Sequence, residues 1–277
     1  MKFKDGKLII PKGIEVIKRK DLKDYVGIKE VEIPNGVIEI EDYAFLGQEL
    51  EELILPDTIV KIGKYAFQFN QLKSVKLSNN LKQIGSNAFS FNCLESIDIP
   101  NSVTRIEKGA FMYNRLIYAR LSTNLKYLGT SAFFYNQLIM IDIPDNLKKL
   151  KPFTFASNIL IKVSLGKSLK KVGAFSFFNN KLIFLEIPKN VKKLSFCSFA
   201  NNNISDISME KRGVHIGSLA FVFNNCPNVR LRKLNRKLKN ISKLIDERKI
   251  QRDLLNEEKK RIEEELENLE LILEVNK

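Results

Sequence analysis

The chain has 277 residues, 44% hydrophobic and 28% charged, with a formal net charge of +14. No stretch approaches the roughly 18 apolar residues of a membrane span, and three cysteines are too few and too odd in number for a disulfide framework. The positive charge allows an anionic partner, although charge alone speaks to solubility and nonspecific binding, and lysine outnumbers arginine in a way that does not suit bidentate phosphate readers.

The N-terminal MKFKDGKLIIPKG is not expected to act as a signal peptide, because its apolar run from Leu8 to Ile10 stops at Pro11. The expected location is cytoplasmic for a full-length chain, and cell surface or secreted for one whose leader has been removed. Asp5-Gly6, between Phe3-Lys4 and Lys7-Leu8, signals a short hairpin. Ile10-Pro11 aligns with Ile33-Pro34 at a spacing of 23, so residues 1–27 are expected to form an atypical capping unit.

From there one phenylalanine returns every 22 residues, as Phe45, Phe67, Phe89, Phe111, Phe133, Phe155, Phe177, Phe199 and Phe221. The residue before it is always small. Apolar columns share the period: Leu72 to Ile204, Val75 to Ile207, Ile33 to Met209 and Ile62 to Ile216. A fixed period of this length signals a solenoid, because one such unit cannot bury its apolar side and stacked units can. Within a unit, Leu72-x-x-Val75-x-Leu77 alternates and predicts a short strand with Ser74 and Lys76 outward. Prolines such as Pro56 and Pro100 end the strand, since they cannot donate to a ladder. A second extended piece carries Ile84. Gly85 and its counterparts Gly63, Gly129, Gly173 and Gly217 suggest a turn with unusual dihedrals, and the step into Phe89 suggests a short helical or 3₁₀ turn. The column Asn70, Asn92, Asn114, Asn136, Asn158, Asn180, Asn202 and Asn224 lies among apolar columns, which suits buried amides that satisfy backbone groups. The expected fold is an α/β repeat solenoid over 28–231, followed by one long helix.

Units such as Leu94-x-x-Ile97-x-Ile99-Pro100-x-x-Val103-Thr104-x-Ile106-x-x-x-Ala110-Phe111-x-x-Asn114 resemble leucine-rich repeats, and within that superfamily the BspA-like type. The resemblance covers roughly residues 8–231. It implies an interaction role in protein binding or adhesion, and no catalytic residue.

Beyond Leu231 the period changes to 3.5, which predicts a coiled-coil helix over 232–277. Its apolar positions include Leu238, Ile241, Ile245, Leu255, Ile262, Leu266, Leu269 and Leu273, while Arg248, Arg252 and Lys259 interrupt the stripe. Residues 231–252 carry nine basic and two acidic side chains, and residues 253–277 four and nine. That polarity favours an antiparallel homodimer. A parallel pair, or a helix folded back on its own solenoid, stays open.

Outward strand positions in such a solenoid line its concave face. They change from Glu51-Glu52, Lys73-Ser74 and Glu95-Ser96 to Ile117-Tyr118, Ile139-Met140, Ile161-Lys162 and Ile183-Phe184. Exposed, these residues form an apolar patch of the kind that marks protein interfaces, rimmed by Arg120, Asp142 and Glu186. The alternative for the isoleucines is a core-facing column. A second stripe is basic, with Lys126, Lys148, Lys149, Lys170, Lys171, Lys192 and Lys193. It could hold an anionic polymer such as a nucleic acid or an acidic polysaccharide, with strong salt dependence, or be a solvated lysine face.

Signals for catalysis are weak. His215 is the one histidine, and Cys93, Cys197 and Cys226 occupy different columns with no zinc spacing. No cofactor and no metal are expected.

Overall fold

Each 22-residue unit makes one coil of a parallel β-solenoid, with two short strands per coil. The computed structural model describes residues 1–210 and 213–225. The 232–277 helix and its apolar positions from Leu238 to Leu273, together with Cys226, lie outside the described residues.

The first strand row contains Glu30–Glu32, Glu52–Ile54, Ser74–Lys76, Ser96–Asp98, Tyr118–Arg120, Met140–Asp142, Lys162–Ser164, Phe184–Ile187 and Asp206–Met209. Alternation sets its faces: Leu53, Ile97, Ile141 and Leu185 are buried while the residues beside them are exposed. Pairing is in exact 22-residue register, as in Met140 with Lys162 and Ile141 with Val163. Proline then closes the strand. The carbonyls of Pro56, Pro100, Pro144 and Pro188 accept from the amides of Ile59, Val103, Leu147 and Val191 at 3.0–3.1 Å. The second row runs from Val16–Ile17 and Glu39–Ile40 to His215–Ile216. There the coil at Lys149 contributes a single bridge to Lys171.

The repeated phenylalanines form a continuous buried spine. Neighbouring rings lie 5.1–5.6 Å apart at interplanar angles of 4–15°. The asparagine column fastens one coil to the next beside this spine. Each Oδ1 accepts from the amide 20 residues earlier, Leu50 through Ile204, at 2.9–3.1 Å. Each Nδ2 donates to the carbonyl of the preceding coil's spine phenylalanine at 2.8–3.0 Å. In the first coil Gln48 substitutes, accepting from Ile28 and donating to Tyr25.

Two local expectations are corrected. The step into each spine phenylalanine is not helical. The residues two before and two after it adopt left-handed backbone, from Tyr43 and Gly47 to Leu219 and Phe223, and sixteen of these eighteen are not glycine. Left-handed geometry costs a non-glycine residue about 1–2 kcal/mol, and inter-coil bonds offset that cost: the amides of Tyr43 and Phe91, for example, donate to Lys64 and Met112 at 2.8 and 3.0 Å. The repeated glycines, by contrast, have no positive φ. A Cβ on Gly85 would lie 2.4 Å from the carbonyl carbon and oxygen of Gly63, and one on Gly63 would lie 2.4 Å from the amide of Asp42. They are glycine because successive coils touch there.

At the N-terminus, Lys2–Lys4 and Lys7–Ile9 form an antiparallel hairpin through Asp5 and Gly6, both at positive φ, and Lys7–Ile9 pairs in parallel with Glu30–Glu32. The helix Arg19–Leu22 follows.

Candidate functional site

The first strand row divides chemically at its middle. In the early coils several of its outward side chains pair with one another, with Ile54 the exposed apolar exception. Lys73 donates to Glu51 at 2.8 Å, which raises the ammonium above its ordinary range and lowers the carboxyl. Arg120 donates to Asp98 at 2.9 Å, tying the rim arginine toward this polar half.

Among the described residues the next coils show no such ion pair on this face. Ile117, Ile139, Ile161 and Ile183 are all exposed, which resolves the open question of the isoleucine column in favour of solvent. Beside them Tyr118 is 51%, Met140 56% and Phe184 47% exposed. Backbone bonds from Ile139 to Ile117 (3.3 Å) and from Ile161 to Ile139 (2.9 Å) keep the column in register. Lys162 interrupts the second column, and Ile161 carries the apolar surface across that coil. Asp142 and Glu186 are exposed on the same strands.

This face deepens at its later end into a groove of about 660 Å³, lined by Ile161, Ile183 and Phe184 with Lys167, Lys189 and Glu210. Neither the groove nor the exposure of Ile159 is expected from the inward and outward pattern. Ile159 stands in a column whose nearest members are polar (Arg115, Gln137, Lys181, Asn203), a signal readable in the 22-residue spacing. A further surface feature is a ladder of rings two residues after the spine, Phe69, Phe91, Tyr113 and Tyr135, with centroids 4.7–4.9 Å apart. Its 22-residue spacing was equally readable.

The basic stripe resolves into two adjacent columns. Lys126, Lys148, Lys170 and Lys192 form one, and Lys149, Lys171, Lys193 and exposed His215 the other; every one of these lysines is exposed. Cys197 is buried, and burial pushes its thiol up to about 12, far from a nucleophile's range. Cys93 is a free thiol of intermediate burial. Among the described residues no group of three or more His, Cys, Asp or Glu could hold a metal ion, and no helix is long and apolar enough to cross a membrane.

The BspA type leucine rich repeat region matches residues 4–118 and 154–247, in six copies. The chain belongs to this leucine-rich repeat family. Among solved structures it is similar to YopM from Yersinia enterocolitica WA-314, at 21% identity and TM-score 0.51, over 72% of this chain and 40% of that one. It is also similar to the pneumococcal vaccine antigen PcpA, at 22% identity and TM-score 0.48, over 81% of this chain and 69% of that one. A leucine-rich repeat protein from Bacteroides ovatus matches at 19% identity and TM-score 0.40, over 80% and 77%. The likeness to YopM concerns the fold alone. No curated protein matches the chain by sequence.

Proposed function

We propose that the protein is a non-enzymatic interaction or adhesion scaffold that binds a protein partner on the later half of its first strand row. One observation carries the reading. Four successive coils replace charged and self-paired outward residues with exposed Ile117, Tyr118, Ile139, Met140, Ile161, Ile183 and Phe184. Exposed aromatic and aliphatic groups gathered on one face, rimmed by charge, are what protein interfaces use as anchors. The groove at Ile161, Ile183 and Phe184 offers such an anchor a pocket, and membership of the leucine-rich repeat family suits a binding role. The C-terminal heptads from Leu238 to Leu273 support self-association through that segment, and two copies would add avidity to a weak single contact.

The test is affinity capture at moderate salt from candidate lysates, comparing the wild type with a Tyr118→Ser, Met140→Ser, Phe184→Ser variant whose circular dichroism is unchanged. A protein retained by the wild type and lost by the variant supports the reading. Equal retention by both excludes this face.

A further inference from the structure

The second strand row carries a charge imbalance that the apolar face does not explain. Residues 146–205 contain eleven lysines and one acidic residue, Glu186, which belongs to the first row. Six of the lysines occupy two adjacent columns in three successive coils. Lys148, Lys170 and Lys192 are joined by backbone bonds of 2.9 Å. Lys149, Lys171 and Lys193 stand directly opposite one another in parallel register, and His215 continues their column. All six are exposed, and none has an ion-pair partner among the described residues.

Earlier coils treat the same column differently. Glu39 stands opposite Lys61 and accepts from it at 2.6 Å. Arg105 pairs with Glu107, and its guanidinium lies 4.0 Å from the Tyr127 ring centre. Like charges directly opposite on neighbouring strands are destabilising. Three successive coils therefore hold ammonium groups in mutual repulsion, with no carboxylate among the described residues to relieve it. An external anion would supply what Glu39 supplies to Lys61.

We propose that this block binds a linear acidic polysaccharide laid along the solenoid axis. Charge complementarity sets the sign of the ligand. Three rungs at the usual strand spacing extend about 10 Å, longer than one phosphate or sulfate, which calls for a polymer. Lysine is a point charge that reads no planar fork. Among the described residues the column has two rings: Tyr127 is already in contact with Arg105 and with Lys151, and His215 is a single imidazole beyond the lysine block, so the column offers no row of platforms for stacked bases. A chain of sugar acids asks for none.

The experiment titrates the full chain with two polysaccharide probes, heparin bearing sulfates and hyaluronate bearing only carboxylates, at low and near-physiological salt. Single-stranded and duplex DNA oligonucleotides serve as the nucleic-acid comparison. Binding of either polysaccharide that weakens at least about tenfold with rising salt, and is lost in Lys149→Gln, Lys171→Gln, Lys193→Gln, supports the proposal; the preferred probe identifies the acid group. A Lys2→Gln, Lys4→Gln, Lys12→Gln variant has the same net charge and retains binding, as does the Tyr118, Met140, Phe184 serine variant. Removing repulsion leaves the lysine variant's thermal midpoint unchanged or raised. No polysaccharide binding, equal loss in the two glutamine variants, tighter binding of DNA, or a lowered midpoint would each overturn the proposal.

Discussion

Asn136→Ala tests the device that couples the coils. The side chain is 7% exposed. Its Oδ1 accepts from the Leu116 amide at 3.1 Å and its Nδ2 donates to the Phe111 carbonyl at 2.9 Å. Truncation orphans the buried Leu116 amide, while the Phe111 carbonyl keeps its bond from the Asn114 Nδ2 at 3.2 Å; an orphaned buried polar group costs about 1–3 kcal/mol, so the variant should lose about that much. Asn136→Asp should fare worse than alanine at neutral pH, because a carboxylate would face the Phe111 and Phe133 carbonyl oxygens that the amide now serves. The control is Asn124→Ala. This exposed asparagine also donates to a backbone oxygen, that of Asn101 at 3.0 Å, and its loss should stay within about 0.5 kcal/mol. Urea unfolding followed by circular dichroism measures all three. If Asn136→Ala and Asn124→Ala unfold at the same urea concentration, the ladder does not hold the coils together.

Four further outcomes are expected. Gly85→Ala should destabilise by about 1–3 kcal/mol or more, as overpacking does, because its Cβ meets the Gly63 backbone; Gly47→Ala, at positive φ with nothing within 4 Å, should show only the smaller strain of its backbone, and thermal melts of the pair decide. Phe133→Ala, in mid-spine, should cost about 3–5 kcal/mol in the same urea assay. In native protein at mildly alkaline pH, iodoacetamide mapped by mass spectrometry should label Cys93 before Cys197, because burial raises the Cys197 thiol to about 12 and keeps it protonated; equal labelling would contradict its burial. Ile262→Lys with Leu269→Lys should convert a dimer to a monomer in analytical ultracentrifugation, and an unchanged mass would remove self-association through the C-terminal heptads.

The sequence carried the fold where a residue's role repeats by burial. Phe133 is legible because nothing but a core tolerates the same ring at one position in nine units. The apolar face was legible at Tyr118, Met140 and Phe184 because alternation assigns them outward whatever the turn geometry. Gly85 misled because glycine has two uses, positive φ and close approach, and only the neighbouring coil distinguishes them. The left-handed backbone at Phe91, Phe153 and Phe175 ran against local propensity, and no single-coil argument finds it. Those residues are held by amide bonds and ring contacts to the next coil, stacked for Phe153 on Phe175 at 4.8 Å and edge-on for Phe175 against Phe196. The groove at Ile183 and Phe184 was invisible for a related reason, since a pattern of inward and outward residues says nothing of depth.

The most direct test of the interface is site-specific photo-crosslinking to the captured partner. A photoreactive phenylalanine analogue would replace Tyr118, Met140 or Phe184 in turn, with Tyr135 and Lys149, exposed on other faces of the coils, as references. The account predicts crosslinks from the first three positions and none from the two references. Crosslinks from Tyr135 or Lys149 alone would contradict it.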